Sequence, residues 1–359
     1  MLAAHLPIQR PSEAKLLVVD GLGNIRHWVR EKFADLLHPG DLVVANDAAT
    51  LPASLSGEHE RSGRPVEVRL VGWGSLRPEA IRHATAVVFG AGDFRTRTED
   101  RPLPPELEAG DRLALGPLGA KVEALLGHPR LAQLAFHGSL HKIWEGLARH
   151  GRPIQYSHVK TPLALWHVWT PIAGPPVAFE PPSAGFTLDW RTLALQKQRG
   201  AKFATITHAA GVSSTGDARL DALLPLDEPY HIPSNTASAV NQTRKRGGRI
   251  VAIGTTVVRA LEHAAQLDGS VRAGTGLATQ RITSHSRLQV VDTLLSGTHE
   301  PGTSHYDLLG AFVDEKTLNR IDRELHALNY LTHEFGDSVF VERMAEANSE
   351  APPTRALVA

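Results

Sequence analysis

Hydrophobic and polar positions change rhythm twice along this chain. Residues 16–19 are apolar and rich in valine, turn residues fill 20–24, and 25–29 alternates, a pattern that predicts a hairpin. A short helix with Phe33, Leu36 and Leu37 follows, and His38-Pro39-Gly40-Asp41 ends it. Residues 42–45 are then continuously apolar, as a strand buried on both faces requires, with Asn46 and Asp47 at its end. From about Gly57 to Arg149 the runs are shorter: 66–70, 86–89, 112–115, 121–125 and 131–136 are strand candidates separated by glycine and proline turns. That spacing predicts a small antiparallel barrel or sandwich. A helix over 140–149, with Ile143, Trp144 and Leu147 on one face, leads out of it.

Beyond Gly151 helices and strands alternate, which predicts an α/β layered structure. Helices are expected over 192–199, 235–246, 257–266 and 314–331, and strands over 203–207, 250–253 and 338–342. The Ala- and Pro-rich segment 346–359 reads as a disordered tail.

Composition narrows the chemistry. With 359 residues, 42% of them hydrophobic, the chain can bury a sizeable core. It has no cysteine, which excludes disulfides, thiolate nucleophiles and cysteine-based zinc sites. Lysine plus arginine number 38 and so do aspartate plus glutamate, so a nucleic-acid partner would need a local basic patch. No apolar window spans a membrane and the N-terminal residues lack a signal-peptide pattern, so the expected location is the cytoplasm. His137 and His141 have the i, i+4 spacing of a helical zinc pair but lack the neighbouring glutamate, and no metal is expected.

Three segments carry candidate chemistry. In 249–259 a buried strand runs into Gly254-Thr255-Thr256, a turn that opens a helix, with Arg259 one turn inside. Such a helix start offers free N–H groups and a positive dipole end to a carboxylate, phosphate or ribose hydroxyl, although a threonine there is equally an ordinary cap. The small residues Ser183, Ala184 and Gly185 would let a ligand approach the backbone, and a plain loop accounts for them at least as well. Residues 292–305 concentrate His299, Glu300, Thr303, Ser304 and His305, with a solvated capping loop as the competing reading. Histidine is the side chain best suited to proton transfer near neutrality. Basic clusters at Arg95, Arg97 and Arg101, and at Arg244, Lys245, Arg246 and Arg249, are candidate RNA contacts or simply solvated helix ends.

Taken in order, these segments resemble the S-adenosylmethionine:tRNA ribosyltransferase-isomerase family of queuosine biosynthesis. Residues 16–20, 37–47 and 51–53 look like its N-terminal signature, 66–68 and 110–113 like parts of an inserted barrel, and 182–185 like its Pro-Thr-Ala-Gly. The match is closest over 247–249 and 254–262, and 290–292, His299, Pro301, Gly336 and Asp337 fall at matching spacings. The resemblance implies an α/β class, two-part fold: an α/β domain built from both chain ends (1–56 and 151–345) carrying a small antiparallel β-barrel inserted over 57–150. It further implies that S-adenosylmethionine is the ribosyl donor, that its ribose is transferred and isomerised onto 7-aminomethyl-7-deazaguanine in tRNA, and that epoxyqueuosine, adenine and methionine are the products.

On this resemblance His299 is the first choice for proton transfer, His208 the second, with Glu300 beside them. Ser183, Ala184, Gly185, Gly254, Thr255, Thr256, Arg259, Thr303, Ser304 and Asp337 are expected to bind substrate, and Arg244, Lys245 and Arg246 to meet RNA. A monomer or homodimer is expected. Several positions depart from the family pattern. Phe186-Thr187-Leu188 stands where Leu-His-Phe is expected, 208–214 keeps its histidine in a reshaped loop, and 297–304 loses a lysine and gains Glu300. Such losses point to donor binding retained and acceptor binding altered. Two alternatives therefore stand beside the tRNA enzyme: a paralogue using S-adenosylmethionine with a small-molecule acceptor or none, and a non-catalytic RNA- or nucleoside-binding module.

Overall fold

A computed structural model describes residues 1–345, and the tail expected over 346–359 lies outside the described residues. The hairpin forms as β1 (Lys15–Val19) and β2 (Ile25–Val29), followed by β3 (Leu42–Asn46). Six strands come next: β4 (Ser54–His59), β5 (Arg64–Gly72), β6 (His83–Phe89), β7 (Arg112–Leu115), β8 (Leu118–His128) and β9 (Leu131–Phe136). After helix α1 (Leu140–His150) and α2 (Trp190–Gln198) come β10 (Lys202–His208), β11 (Glu228–Ile232), α3 (Ser234–Lys245), β12 (Ile250–Ile253) and α4 (Thr255–His263). The chain ends through β13 (Gly274–Ala278), β14 (Thr293–Gly297), α5 (Ser304–Leu309), α6 (Glu315–Ala327) and β15 (Ser338–Glu342).

The six strands β4 to β9 close into an antiparallel barrel in the order β8-β9-β6-β5-β4-β7. The others form one nine-stranded sheet, β13-β11-β10-β3-β12-β14-β15-β1-β2, whose middle strands β10, β3, β12 and β14 run parallel. The fold class read from the sequence therefore holds: strands from both chain ends share one sheet, and the barrel is inserted between β3 and α1.

Alternation explains how those apolar strands bury both faces. Leu42, Val44, Ile250, Ala252, Leu294 and Val339 point to one side with residues of α3, α4 and α6. Val43, Ala45, Val251, Ile253, Leu295 and Phe340 point to the other, against Phe33, Leu37 and Leu188. Each buried Leu, Val, Ile or Phe among them contributes roughly 1.5–3 kcal/mol by leaving water, which is why these strands read as continuous rather than alternating runs. The barrel core is continuous with Phe179, Ala209 and Ala210, and Trp73 packs edge-on to Phe179 at 5.0 Å.

The differences from the expected elements have local causes. The helix expected at 33–37 is a 3-10 helix, Arg30–Leu36. β4, β11, β13 and β14 were not anticipated: glycine or proline interrupts β4, β11 and β13, and the polar residues of Thr293–Gly297 hide a strand inside the sheet. His137 precedes α1 while His141 lies in it, so they are not a pair on one helix. α6 stops at Ala327 instead of 331 because Asn329 turns left-handed (φ 51°), with Tyr330 N–H donating to Leu325 O at 2.9 Å and Asn329 N–H to His326 O at 3.2 Å. At its start Asp314 accepts from Thr317 N–H at 2.7 Å. Asp314→Ala is expected to lower stability by about 1 kcal/mol in urea unfolding; an unchanged midpoint would show that the cap contributes nothing. No helix among the described residues is long and apolar enough to cross a membrane.

Candidate active site

The parallel strands β3, β10, β12 and β14 deliver Asn46, His208, Ile253 and Gly297 to one edge of the sheet. Outside the carboxyl ends of such strands is where open α/β sheets bind ligands, because helix N-termini and flexible loops converge there. A cleft of about 790 Å³, counting space open to solvent, lies at this edge and draws its walls from 180–184, 210–213, 254–256 with Arg259, 281–282, 296–297, His299 and 304–305.

The floor is made by the β12–α4 junction. Gly254 has φ 94°, a conformation an L side chain resists, and it turns the chain so that Thr255 starts the helix with no side-chain cap. The N–H groups of that first turn and the positive helix end therefore stand beside the cleft, which Thr255 and Thr256 line. Asn46 braces the junction: its amide donates to His208 O at 2.9 Å and Thr256 Oγ1 at 3.3 Å, and its Oδ1 accepts from His208 N–H at 2.9 Å.

Opposite the helix start, His299 stacks on His305 with centroids 4.4 Å apart and planes 16° from parallel. Both line the cleft. Burial, and then the neighbouring His305 and His333, hold His299 well below the ordinary histidine range. Burial and then Arg259 bring His305 down to about 4. Both rings are neutral at pH 7, so each has a nitrogen free to accept a proton.

The wall behind is ionic. Glu228 pairs with Arg259 and accepts from Gly211 N–H at 2.6 Å. Arg259 also donates to Ala278 O at 2.9 Å, Leu226 O at 3.2 Å and Gln280 O at 3.3 Å. His208 lies 3.6 Å from the same carboxylate, with 0% exposure and no hydrogen bond to either ring nitrogen.

A second titratable group adjoins the cleft through Glu180. Tyr156 Oη hydrogen-bonds to Glu180 and lies 3.0 Å from Ser214 O, and Ser213 N–H donates to the other Glu180 oxygen at 2.9 Å. Burial, and then Glu334, push Glu180 up to about 8. A protonated Glu180 resolves the geometry: its proton goes to Tyr156 Oη, leaving the tyrosine proton for Ser214 O. His158 and His333 stack beside Glu334 with centroids 4.4 Å apart.

These shifts give stability a pH dependence whose sign can be worked out. Between roughly pH 4 and 6.5 the unfolded chain protonates histidines that the fold keeps neutral, so the contributions of His208, His299 and His305 are complete above about pH 6.5 and lost as pH falls. Glu180 and Glu228, raised in the fold, act oppositely and lose stability as pH rises. The histidines outnumber them, so the unfolding midpoint is expected to fall from pH 6.5 to 5, more steeply in Glu180→Gln. A midpoint that is flat or rises toward pH 5 would contradict this assignment.

The structure separates the residues singled out in sequence. Ser183, Ala184, Gly254, Thr255, Thr256, His299 and Ser304 line one cleft. Gly185 lies behind it against Thr170, and Thr303 caps α5 by accepting from Tyr306 N–H at 3.3 Å. The other expected residues are placed differently. Asp337 is buried and does not line the cleft; its oxygens accept from Lys15 N–H at 2.6 Å and Leu331 N–H at 2.8 Å, so it anchors β1 beside β15. Glu300 is exposed and off the cleft wall. His208 is sealed behind Glu228, and the Arg259 side chain is spent on Glu228 and carbonyls, leaving it little to offer a carboxylate. Arg244 donates to Gly269 O and, at 2.6 Å, to Gln289 O. With Lys245 and Arg246 it precedes β12 and so stands at the amino edge of the sheet, opposite the cleft.

Glu180, Glu228, Arg281 and Ile282 line the cleft without having been singled out as site residues. A glutamate in an otherwise apolar stretch, Ala178-Phe179-Glu180-Pro181, is a sequence signal that could have found Glu180.

A family model described as queuosine biosynthesis protein matches residues 1–341. The chain is 31% identical over 349 residues to a protein of Gloeobacter violaceus named S-adenosylmethionine:tRNA ribosyltransferase-isomerase, covering 94% of this chain and 92% of that one. It is 29% identical to the protein of the same name from Thiobacillus denitrificans, covering 98% and 96%. A solved structure, S-adenosylmethionine tRNA ribosyltransferase from Thermotoga maritima, matches with a TM-score of 0.49 and 22% identity over 94% of this chain and 96% of that one.

Proposed function

The chain belongs to the queuosine biosynthesis family, and from that membership we propose that it is an S-adenosylmethionine-dependent ribosyltransferase-isomerase acting on tRNA. The finer reading is transfer and isomerisation of the donor's ribose onto 7-aminomethyl-7-deazaguanine, giving epoxyqueuosine. The observation that supports it best is the pairing, across one cleft, of an uncapped helix start with a neutral histidine.

The first turn of α4 suits the methionine carboxylate, since a helix N-terminus stabilises an anion without bringing in a counter-charge that would repel the sulfonium. His299, neutral at pH 7, takes the proton from the ribose carbon bonded to sulfur. The electron pair left on that carbon closes the carbon ring as adenine's bond to the ribose breaks. The acceptor's aminomethyl nitrogen replaces the ring oxygen on its carbon, that oxygen displaces methionine as a neutral thioether to close the epoxide, and the proton the amine gives up balances the one adenine takes. Ser183, Ala184 and the Gly254 turn give the nucleoside a wall without bulky side chains.

A second reading keeps the donor and changes the acceptor to a small molecule or none. It is favoured by the position of Arg244, Lys245 and Arg246 at the far edge of the sheet, away from the cleft. Mass spectrometry after incubation with S-adenosylmethionine, with and without deazaguanine-modified tRNA, tests both. Adenine and methionine released only with the tRNA support the first reading. Release indifferent to tRNA supports the second, and no release in either arm overturns both.

A further inference from the structure

We propose that His158, His333 and Glu334 form a binding site for one divalent metal ion of the zinc class, beside the cleft and independent of the ribosyl-transfer reading. One ligand atom from each of these side chains lies within 4.8 Å of the other two. His158 Nε2 is 3.6 Å from Glu334 Oε2, too long for a hydrogen bond. It is close to the roughly 3.3 Å that separates two ligands of a tetrahedral ion at about 2.0–2.1 Å from each. The third ligand atom lies within 4.8 Å of both.

Three further observations point to an ion. His158 Nε2 is buried and has no hydrogen-bond partner, an arrangement that costs free energy unless something else occupies its lone pair. His333 sits in the left-handed region at φ 70°, and Gly336 N–H donates to His333 O at 3.0 Å, so a tight turn fixes consecutive ligands His333 and Glu334. Among the described residues no lysine or arginine pairs with the half-buried Glu334, and the buried Glu180 carboxyl is close enough to feel its charge. A divalent ion supplies that missing positive charge.

The ligands come from two distant parts of the chain, the segment after α1 and the turn before β15, so the ion would pin them together. The small hollow around His158 and Glu334 shares Pro181 with the cleft wall. Two imidazoles and one carboxylate suit zinc, with one position left for water or another ligand.

The test uses the full chain, dialysed against a chelator and titrated with zinc by calorimetry and with cobalt(II) by visible absorption. One equivalent is expected to bind, with the bands of a four-coordinate cobalt ion and a raised unfolding midpoint in zinc. His333→Gln and Glu334→Gln, checked for folding by circular dichroism, are expected to weaken binding at least about tenfold. His285→Gln, at an exposed position, is expected to leave it unchanged. Absence of saturable binding, a six-coordinate cobalt spectrum, or equal affinity in the His333 and Glu334 variants would overturn the proposal; because the wild-type spectrum is read directly, a variant that fails to fold does not remove the test.

Discussion

Replacing His299 by alanine is expected to slow adenine release about 10²- to 10⁴-fold, the span that a positioned proton-transfer group contributes. Its neutral state at pH 7, held by burial, makes it a base without a prior deprotonation step. The acid limb of kcat/KM should accordingly lie below the ordinary histidine value of about 6.5. His305→Gln, which removes only the stacked neighbour, should cost less and shift that limb upward by restoring a more ordinary His299. A loss below about tenfold in His299→Ala, with folding intact, would remove His299 from the proton-transfer role.

Arg259→Met is expected to lower stability by about 3–5 kcal/mol, because it leaves the Glu228 carboxylate buried without its cation. Urea unfolding of Glu228→Gln, Arg259→Met and the double variant separates the contributions. The double variant should recover much of the loss, since two neutral side chains avoid the desolvation of an unpaired ion. Losses that simply add would mean the two groups do not act as a pair. Gly211, held by the same carboxylate, is part of the cleft wall, so Arg259→Met should also weaken donor binding.

What was legible in the sequence was what one element writes along its own length. β12 and β15 were marked by uninterrupted apolar runs and matched to the residue, and the β12–α4 turn announced itself by Gly254 followed by two threonines. Candidate residues on that turn, and on the loop after β14, could be found because cap and turn chemistry is local. The pairings were not legible. Nothing along the chain connects Glu228 to Arg259, His158 to Glu334, or Tyr156 to Glu180, since each contact depends on how separate segments dock. Asp337 shows the converse: the family resemblance marked it as a substrate-binding group, and only the fold shows its oxygens accepting from the N–H groups of Lys15 and Leu331. Where Arg244, Lys245 and Arg246 would lie was equally illegible, because a charge run carries no mark of which edge of a sheet it will occupy.

The parallel pairing of β15 with β1, residues 338–341 against 16–19, has a consequence for synthesis on the ribosome. The barrel, made of strands between Ser54 and Phe136, has every partner it needs soon after it emerges. The hairpin β1–β2 does not: its inner edge waits for the last strand to be translated, so an apolar strand edge stays open through most of elongation. Growing chains and premature stops share that exposed edge, which makes them the forms most prone to pair with other chains and the ones a holding chaperone would be expected to meet.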